Sequence, residues 1–177
     1  NIKPDISTFG KCFGGGMPIG FIAVTKKIEK KISKKKIFFG GTFSGNPFCM
    51  YVAKNTINFI FKNRKKIFNK MNKMSEYFEK DLNNFFKKKS YKIKVFRFFS
   101  MMRLVFSNQT PKNRSQRDFF EKNKSKDIEI FKKFLFKNKI FYPNNGTIFL
   151  SYAMSNKELK YLINKIKQAA NSIYAKR

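Results

Sequence analysis

Histidine is absent from this sequence, and cysteine and acidic residues are scarce. Without His, a His-based nucleophilic triad, a Cys/His zinc site and His-ligated haem are all excluded. The two cysteines, Cys12 and Cys49, lie far apart and in no paired motif, as expected of free thiols in a reducing cytoplasm. No run of about 18 apolar residues occurs, so no helical membrane span is expected. Met is missing from position 1, where Asn1 stands, and the expectation is a piece of a longer protein.

What is abundant is positive charge: 40 Lys plus Arg against 10 Asp plus Glu, net +30 over 177 residues. Such a balance raises nucleic acid or an anionic membrane as partners. Its distribution argues otherwise. The excess is mostly Lys, runs along the whole chain, and comes with many Asn, Ile and Phe. Those four residues share A- and T-rich codons, so genome composition accounts for the bias. Arginine forks suited to phosphate or base edges are few. Apolar residues make up 42% of the chain and Phe alone supplies 24, enough to bury a core and to exclude full disorder.

Glycine divides the chain. Eight of the nine glycines fall between Gly10 and Gly45, and the ninth is Gly146. The first ~45 residues therefore read as strands and tight loops, and the rest as ordinary helices and strands. Phe21–Val24 reads as a short buried strand. Ser44-Gly45-Asn46-Pro47 reads as a turn into a helix through Met50, Ala53 and Ile57, with Pro47 at its first position. A second helix is predicted over 65–87, where Ile67, Met71, Met74, Phe78, Leu82 and Phe85 form one face. Tyr91, Ile93 and Val95 alternate as in a strand, with Met102–Phe106 as its neighbour. Helices are predicted over 115–123 and 127–138, and a strand over 147–152. Ser155-Asn156-Lys157-Glu158 has the capping-box spacing, with Leu159, Leu162, Ile163, Ile166 and Ala170 following on one face. This order implies an α/β or α+β fold.

Two segments carry chemistry. The first is Pro4-Asp5-Ile6-Ser7-Thr8-Phe9-Gly10-Lys11-Cys12-Phe13-Gly14-Gly15-Gly16-Met17-Pro18-Ile19-Gly20. Lys11 follows a strand-like stretch and precedes three glycines. A lysine that forms a Schiff base needs a neutral amine, which partial burial and nearby positive charge favour. Glycines beside it remove bulk where a flat ring approaches backbone. Taken alone, Lys11 is one solvated lysine beside a flexible turn. The second segment, Phe39-Gly40-Gly41-Thr42-Phe43-Ser44-Gly45-Asn46-Pro47, offers backbone N–H groups and a hydroxyl to an anion at a helix entrance. Alone, it equally reads as a turn with a helix cap.

Together the two segments resemble the class III aminotransferases and glutamate-1-semialdehyde aminomutases. Those enzymes carry a stretch similar to PDxxxxGKxxGGGxPxG and, about thirty residues later, one similar to GTxSGNPxxM. The matching residues are Pro4, Asp5, Gly10, Lys11, Gly14, Gly15, Gly16, Pro18 and Gly20, then Gly41, Thr42, Ser44, Gly45, Asn46, Pro47 and Met50. The wording SGNP is closer to the aminomutase-like branch. Nearer the end, Ser151-Tyr152-Ala153-Met154 resembles a family stretch whose usual His is Met154 here.

The resemblance implies the C-terminal part of a pyridoxal-phosphate-dependent transferase fold of type I. Residues 1–55 would be the end of the large domain, and residues 56–177 the small α+β domain. Lys11 would be the Schiff-base lysine. Thr42, with the Gly41 backbone, would bind the cofactor phosphate, in this family usually that of the partner subunit of a homodimer. The reaction implied is amino transfer to or from a small aldehyde or keto substrate. The alternative is intramolecular transfer by a glutamate-1-semialdehyde 2,1-aminomutase, and an alternative of another class is a basic nucleic-acid-binding module. The family's acid for the pyridine nitrogen, its ring-stacking aromatic and its second phosphate loop normally lie N-terminal to the lysine. This chain alone is therefore expected to be inactive. Tyr142, Tyr152 and Arg103 are lesser candidates for facing a substrate carboxylate or sugar, more often packing or surface groups.

Overall fold

A computed structural model of the chain describes residues 2–35, 37, 40–42 and 44–174. Two compact units divide it, Asn1–Arg64 and Lys65–Arg177.

In the first unit, strands β1 (Ile6–Phe9) and β2 (Phe21–Val24) form an antiparallel pair, Ile6 opposite Val24 and Phe9 opposite Phe21. The Phe9 and Phe21 rings stack with centroids 4.9 Å apart, the cross-strand aromatic pairing that sets register. Helix α1 (Lys26–Lys34) follows β2. Sequence reading left it unassigned, since only Ile28 and Ile32 mark an apolar side and its residues are otherwise mostly lysine.

Helix α2 runs from Pro47 to Lys88 and supplies residues to both units. The expectation of two helices here is corrected to one. No Gly or Pro occurs from Phe48 to Lys88, so nothing breaks the backbone ladder where the apolar face lapses. Exposed polar residues in the lapse stay helical: the Asn55 and Asn63 amides donate to the Tyr51 and Phe59 carbonyls at 2.8 and 2.9 Å. The helix ends where Tyr91 N–H reaches Phe86 O and Ser90 N–H reaches Lys87 O, with Ser90 at φ 54, a left-handed cap that closes the last carbonyls.

The second unit adds strands β3 (Lys94–Phe98), β4 (Met101–Val105) and β5 (Thr147–Phe149), and helices α3 (Arg114–Glu121), α4 (Ser125–Lys137) and α5 (Asn156–Tyr174). The sheet order is β3-β4-β5, all antiparallel. Tyr91 and Ile93, expected in the strand, precede it. Ile93 is buried there as a loop residue. β5 stops at Phe149, short of the expected 152.

One face of this sheet carries Val95, Met102 and Leu104 into the core. There they join Phe78, Leu82 and Phe86 of α2, Phe131 and Leu135 of α4, and Ile163, Ile166 and Ala170 of α5. These positions recur three and four apart on each helix, so the apolar stripes read from the sequence face the core, except that Phe86 is buried at the end of α2 where Phe85 is expected, and Phe85 is only partly buried. The capping box of α5 forms as expected: Ser155 N–H donates to Glu158 Oε2 at 2.7 Å, and Glu158 N–H donates to Ser155 Oγ at 3.2 Å.

Candidate active site

β1 delivers the chain to Lys11, the first residue of a single 3-10 turn, Lys11–Gly14. Two contacts hold that turn. The Phe13 ring packs edge-on against Phe9 at 5.6 Å and Phe21 at 6.0 Å, tying it to the β1–β2 pair. Gly15, at φ 61, donates its N–H to Cys12 O at 3.2 Å. A Cβ on Gly15 would overlap the Thr56 hydroxyl and approach Val52 Cγ1 to 3.0 Å, both on α2. A Cβ on Gly14 would stand 2.9 Å from Ile19 Cγ2. The turn's own packing thus demands Gly14 and Gly15, which the sequence reading gave to the approach of a ring. Of the three consecutive glycines, Gly16 alone, at φ 94, has nothing within 4 Å of a built Cβ.

Lys11 has φ 56. Ser90, Phe99 and Lys139 share this left-handed conformation. Ser90 and Lys139 close the ends of α2 and α4, and Phe99 sits in the two-residue turn between Phe98 and Met101. Each of those three follows from chain reversal or capping. Lys11 opens a turn instead, and a long-chain residue in this region costs about 1 kcal/mol or more. Its side chain is exposed, and it makes no hydrogen bond or ion pair among the described residues. The partial burial anticipated for it is not supplied by the described part of this chain.

The second segment folds as a turn feeding α2. Ser44 N–H donates to Gly41 O at 2.9 Å, and Gly45 follows at φ 68. Asn46 caps the helix: its Oδ1 accepts the Cys49 N–H at 3.0 Å. Phe39 and Phe43 lie outside the described residues. The Thr42 hydroxyl has no partner among the described residues. Gly41, Thr42, Ser44 and Gly45 line an open cavity of about 650 Å³ whose other wall is Pro18–Phe21, with Cys49 and Met50 from α2. Lys11 is not among its lining residues. The structure therefore puts Gly41 and Thr42 with Pro18–Phe21 in one cavity, at the far end of the glycine-rich segment, that Lys11 does not line. Sequence reasoning missed the Pro18–Phe21 wall. The Pro18 and Gly20 matches were its available signal.

The lesser candidates resolve into packing. The Tyr142 hydroxyl donates to Gly146 O at 3.2 Å, and its ring lies edge-on to Phe131 at 5.3 Å. Burial pushes its phenol pKa well above the usual value. Arg103 pairs with Glu121 at 3.2 Å. Tyr152 offers its carbonyl to Lys70 Nζ at 2.7 Å and its ring to the same ammonium at 4.9 Å.

The family model "Aminotransferase class-III" matches residues 1–169, strand, glycine turn and capped helix included, and the chain belongs to that family. Among curated relatives, it is similar to the glutamate-1-semialdehyde 2,1-aminomutase of Thermosipho melanesiensis, 34% identical over 170 residues, 92% of this chain and 38% of that protein. The enzyme of the same name from Campylobacter hominis is 32% identical, over 97% of this chain and 38% of that protein. In structure it is similar to an omega-transaminase from Sphaerobacter thermophilus, TM-score 0.83 at 17% identity, covering 98% of this chain and 40% of that one. A glutamate-1-semialdehyde aminomutase from Pseudomonas aeruginosa in complex with PMP gives TM-score 0.80 at 14% identity, covering 97% and 40%. The expected fold class is thus borne out, and the chain spans about two fifths of the length of these proteins. No described helix is long and apolar enough to cross a membrane.

Proposed function

We propose that this chain supplies Lys11 as the cofactor-bearing amine, and Gly41 with Thr42 as a phosphate-holding turn, of a pyridoxal-phosphate-dependent enzyme that moves an amino group. The observation that carries the reading is Lys11 itself. It is an amine without a partner among the described residues, in a left-handed backbone, fixed between β1 and a glycine turn, in a chain matched by the class-III family over 1–169.

The residues present suit that cofactor. Lys11 offers an exposed amine. Gly16 and Gly45 leave open space where a side chain would stand. Thr42 offers a hydroxyl with no partner among the described residues, beside the capped start of α2, whose N-terminal dipole favours an anion. When bound, pyridoxal phosphate supplies the electron sink for charge left on the substrate carbon.

Lys11 Nζ then takes a proton from that carbon and returns it, a task that needs reach, which an exposed four-carbon side chain has. Thr42 Oγ1 and the Gly41 N–H orient the phosphate. Lys11 does not line the Gly41–Thr42 cavity, which supports a homodimer in which each turn serves the partner's cofactor. In this reading residues 1–55 close the large domain and 56–177 form the small one. The substrate is a small amine with an aldehyde or keto acceptor. Two unpaired cysteines, one of them exposed, support a cytoplasmic setting.

A second reading, glutamate-1-semialdehyde 2,1-aminomutase, is favoured by the relatives of that name at 32–34% identity. Lys11 serves both reactions in the same way. To test the shared assignment, pyridoxal phosphate is added at limiting concentration, trapped with borohydride and mapped by peptide mass. Label is expected on Lys11 ahead of the other lysines, and lost to neighbours in Lys11→Arg. Label spread evenly over the lysines overturns the assignment.

A further inference from the structure

We propose that the groove between α2 and the first turn of α5 binds an organic molecule carrying two or more phosphate groups on an apolar or aromatic body. A cavity of about 630 Å³ opens there, wholly within the second unit. Its floor is Met74 and Leu159, both buried, and Tyr77 forms part of the wall. Lys66, Lys70, Lys73 and Lys160 surround it, with no Asp or Glu among the lining residues.

Most lysines among the described residues have no carboxylate partner, and the groove is set apart by its apolar floor and by one lysine held in place. Ion pairs occur at Lys80–Glu76 on α2, Lys133–Glu129 on α4 and Lys167–Asp81 between α5 and α2. Here Lys66, Lys73 and Lys160 have no ion-pair or hydrogen-bond partner among the described residues. Glu158, next to Leu159, is turned back into the α5 cap by Ser155, and Lys70 is the groove lysine whose charge bears on it. The fourth lysine is fixed in place: Lys70 Nζ is held at 2.7 Å by the Tyr152 carbonyl and lies 4.9 Å from its ring centroid.

Like charges gathered around an apolar floor repel one another and focus a positive potential that an anion relieves. Lys66 and Lys73 are two turns apart, about 10 Å along the helix, so one occupant reaching both must carry charge at more than one point. The cavity size falls in the range of small-molecule sites, roughly 300–1,000 Å³. Met74, Leu159 and Tyr77 give such a molecule an apolar surface to cover.

The test uses the 177-residue chain with inorganic pyrophosphate and ADP as probes, at constant ionic strength, read by calorimetric titration. Lys66→Gln/Lys73→Gln/Lys160→Gln is compared with Lys87→Gln/Lys88→Gln/Lys89→Gln at the C-terminal end of α2, which loses the same net charge. Both probes are expected to bind the parent and the Lys87–Lys89 variant alike. ADP should bind more tightly than pyrophosphate, and the groove variant should bind both roughly tenfold more weakly. Equal weakening in the two variants would mean that the overall charge, not this groove, attracts polyanions, and would overturn the proposal. So would the absence of binding to the parent, or ADP binding no more tightly than pyrophosphate.

Discussion

Gly15 and Thr56 occupy positions that admit no further atom between them: a Cβ on Gly15 would fall on the Thr56 hydroxyl. Thr56 is itself held, its hydroxyl donating to Val52 O at 2.9 Å one turn back on α2. The turn that presents Lys11 is therefore seated on the helix by the lack of one side chain. Gly15→Ala adds both a clash and a left-handed alanine, and is expected to cost about 2–4 kcal/mol. Gly45→Ala, at a similar φ with open space around it, is expected to cost only about 1–2 kcal/mol. Urea denaturation of the two variants decides: equal losses would mean that φ alone, and not the seat on Thr56, requires Gly15.

The α5 capping box couples stability to acid. Hydrogen bonds from Ser155 hold the Glu158 carboxyl below the usual range. Glu76, Asp118 and Glu129 are lowered likewise, chiefly by hydrogen bonds from Lys80, Arg117 and Lys133. A depressed folded pKa contributes stability that is present above the unfolded value and lost as pH falls through the folded one. The decline is thus expected below the ordinary glutamate value of 4.5. Ser155→Ala keeps the backbone N–H that does most of this, so the Glu158 pKa should rise only part of the way in a carboxyl NMR titration, while the lost N-cap costs about 1 kcal/mol. An unmoved Glu158 titration would show that the Ser155 hydroxyl has no part in holding the carboxyl low.

At the alkaline end, Tyr142 should be the last tyrosine to ionise. Burial raises its pKa above the ordinary value of 10.0, so its contribution is full below that pH and lost as pH climbs toward the folded value. Ultraviolet titration of the folded chain is expected to leave one of the seven tyrosines neutral until unfolding. Tyr142→Phe should remove that hold-out. A Tyr142→Phe chain that keeps the late step would assign it to another ring.

Glu121 accepts two hydrogen bonds with its carboxylate and stands 3.8 Å from Arg117 Nε. Its Oε1 accepts the Phe106 N–H at 3.1 Å and its Oε2 accepts Arg103 Nη2 at 3.2 Å. Glu121→Ala leaves both without an acceptor, and Arg103 Nε already lacks a partner in a buried position. The expected loss is about 2–4 kcal/mol, and less for Glu121→Gln, which still accepts from Phe106. Chemical denaturation separates them, and a neutral Glu121→Ala would show the pair to be ornamental to stability.

Legibility differed by element. Core stripes and the Ser155–Glu158 cap are local patterns of spacing, and they were legible because side chains three and four apart share a helix face whatever surrounds them. The continuity of α2 was less so. Its apolar stripe weakens in the middle, and only the absence of Gly and Pro there predicts one helix. The extent of β3 depended on which residues found partners, and Ile93 is buried without joining the ladder. At the candidate site, Lys11, Gly41 and Thr42 were legible as a motif resemblance, whereas the Pro18–Phe21 wall beside Thr42 was not.

The sequence by itself determined the family. The order and spacing of its glycines around Lys11 and before Pro47 depend on residue types alone, and the absence of His removed competing chemistries. Only the tertiary structure decided what each glycine is for. Gly14 and Gly15 answer to Ile19 and Thr56, residues that spacing cannot place beside them, while Gly16 and Gly45 face open space. Close approach is a property of folded neighbours, and a glycine in a sequence does not say which neighbour comes near.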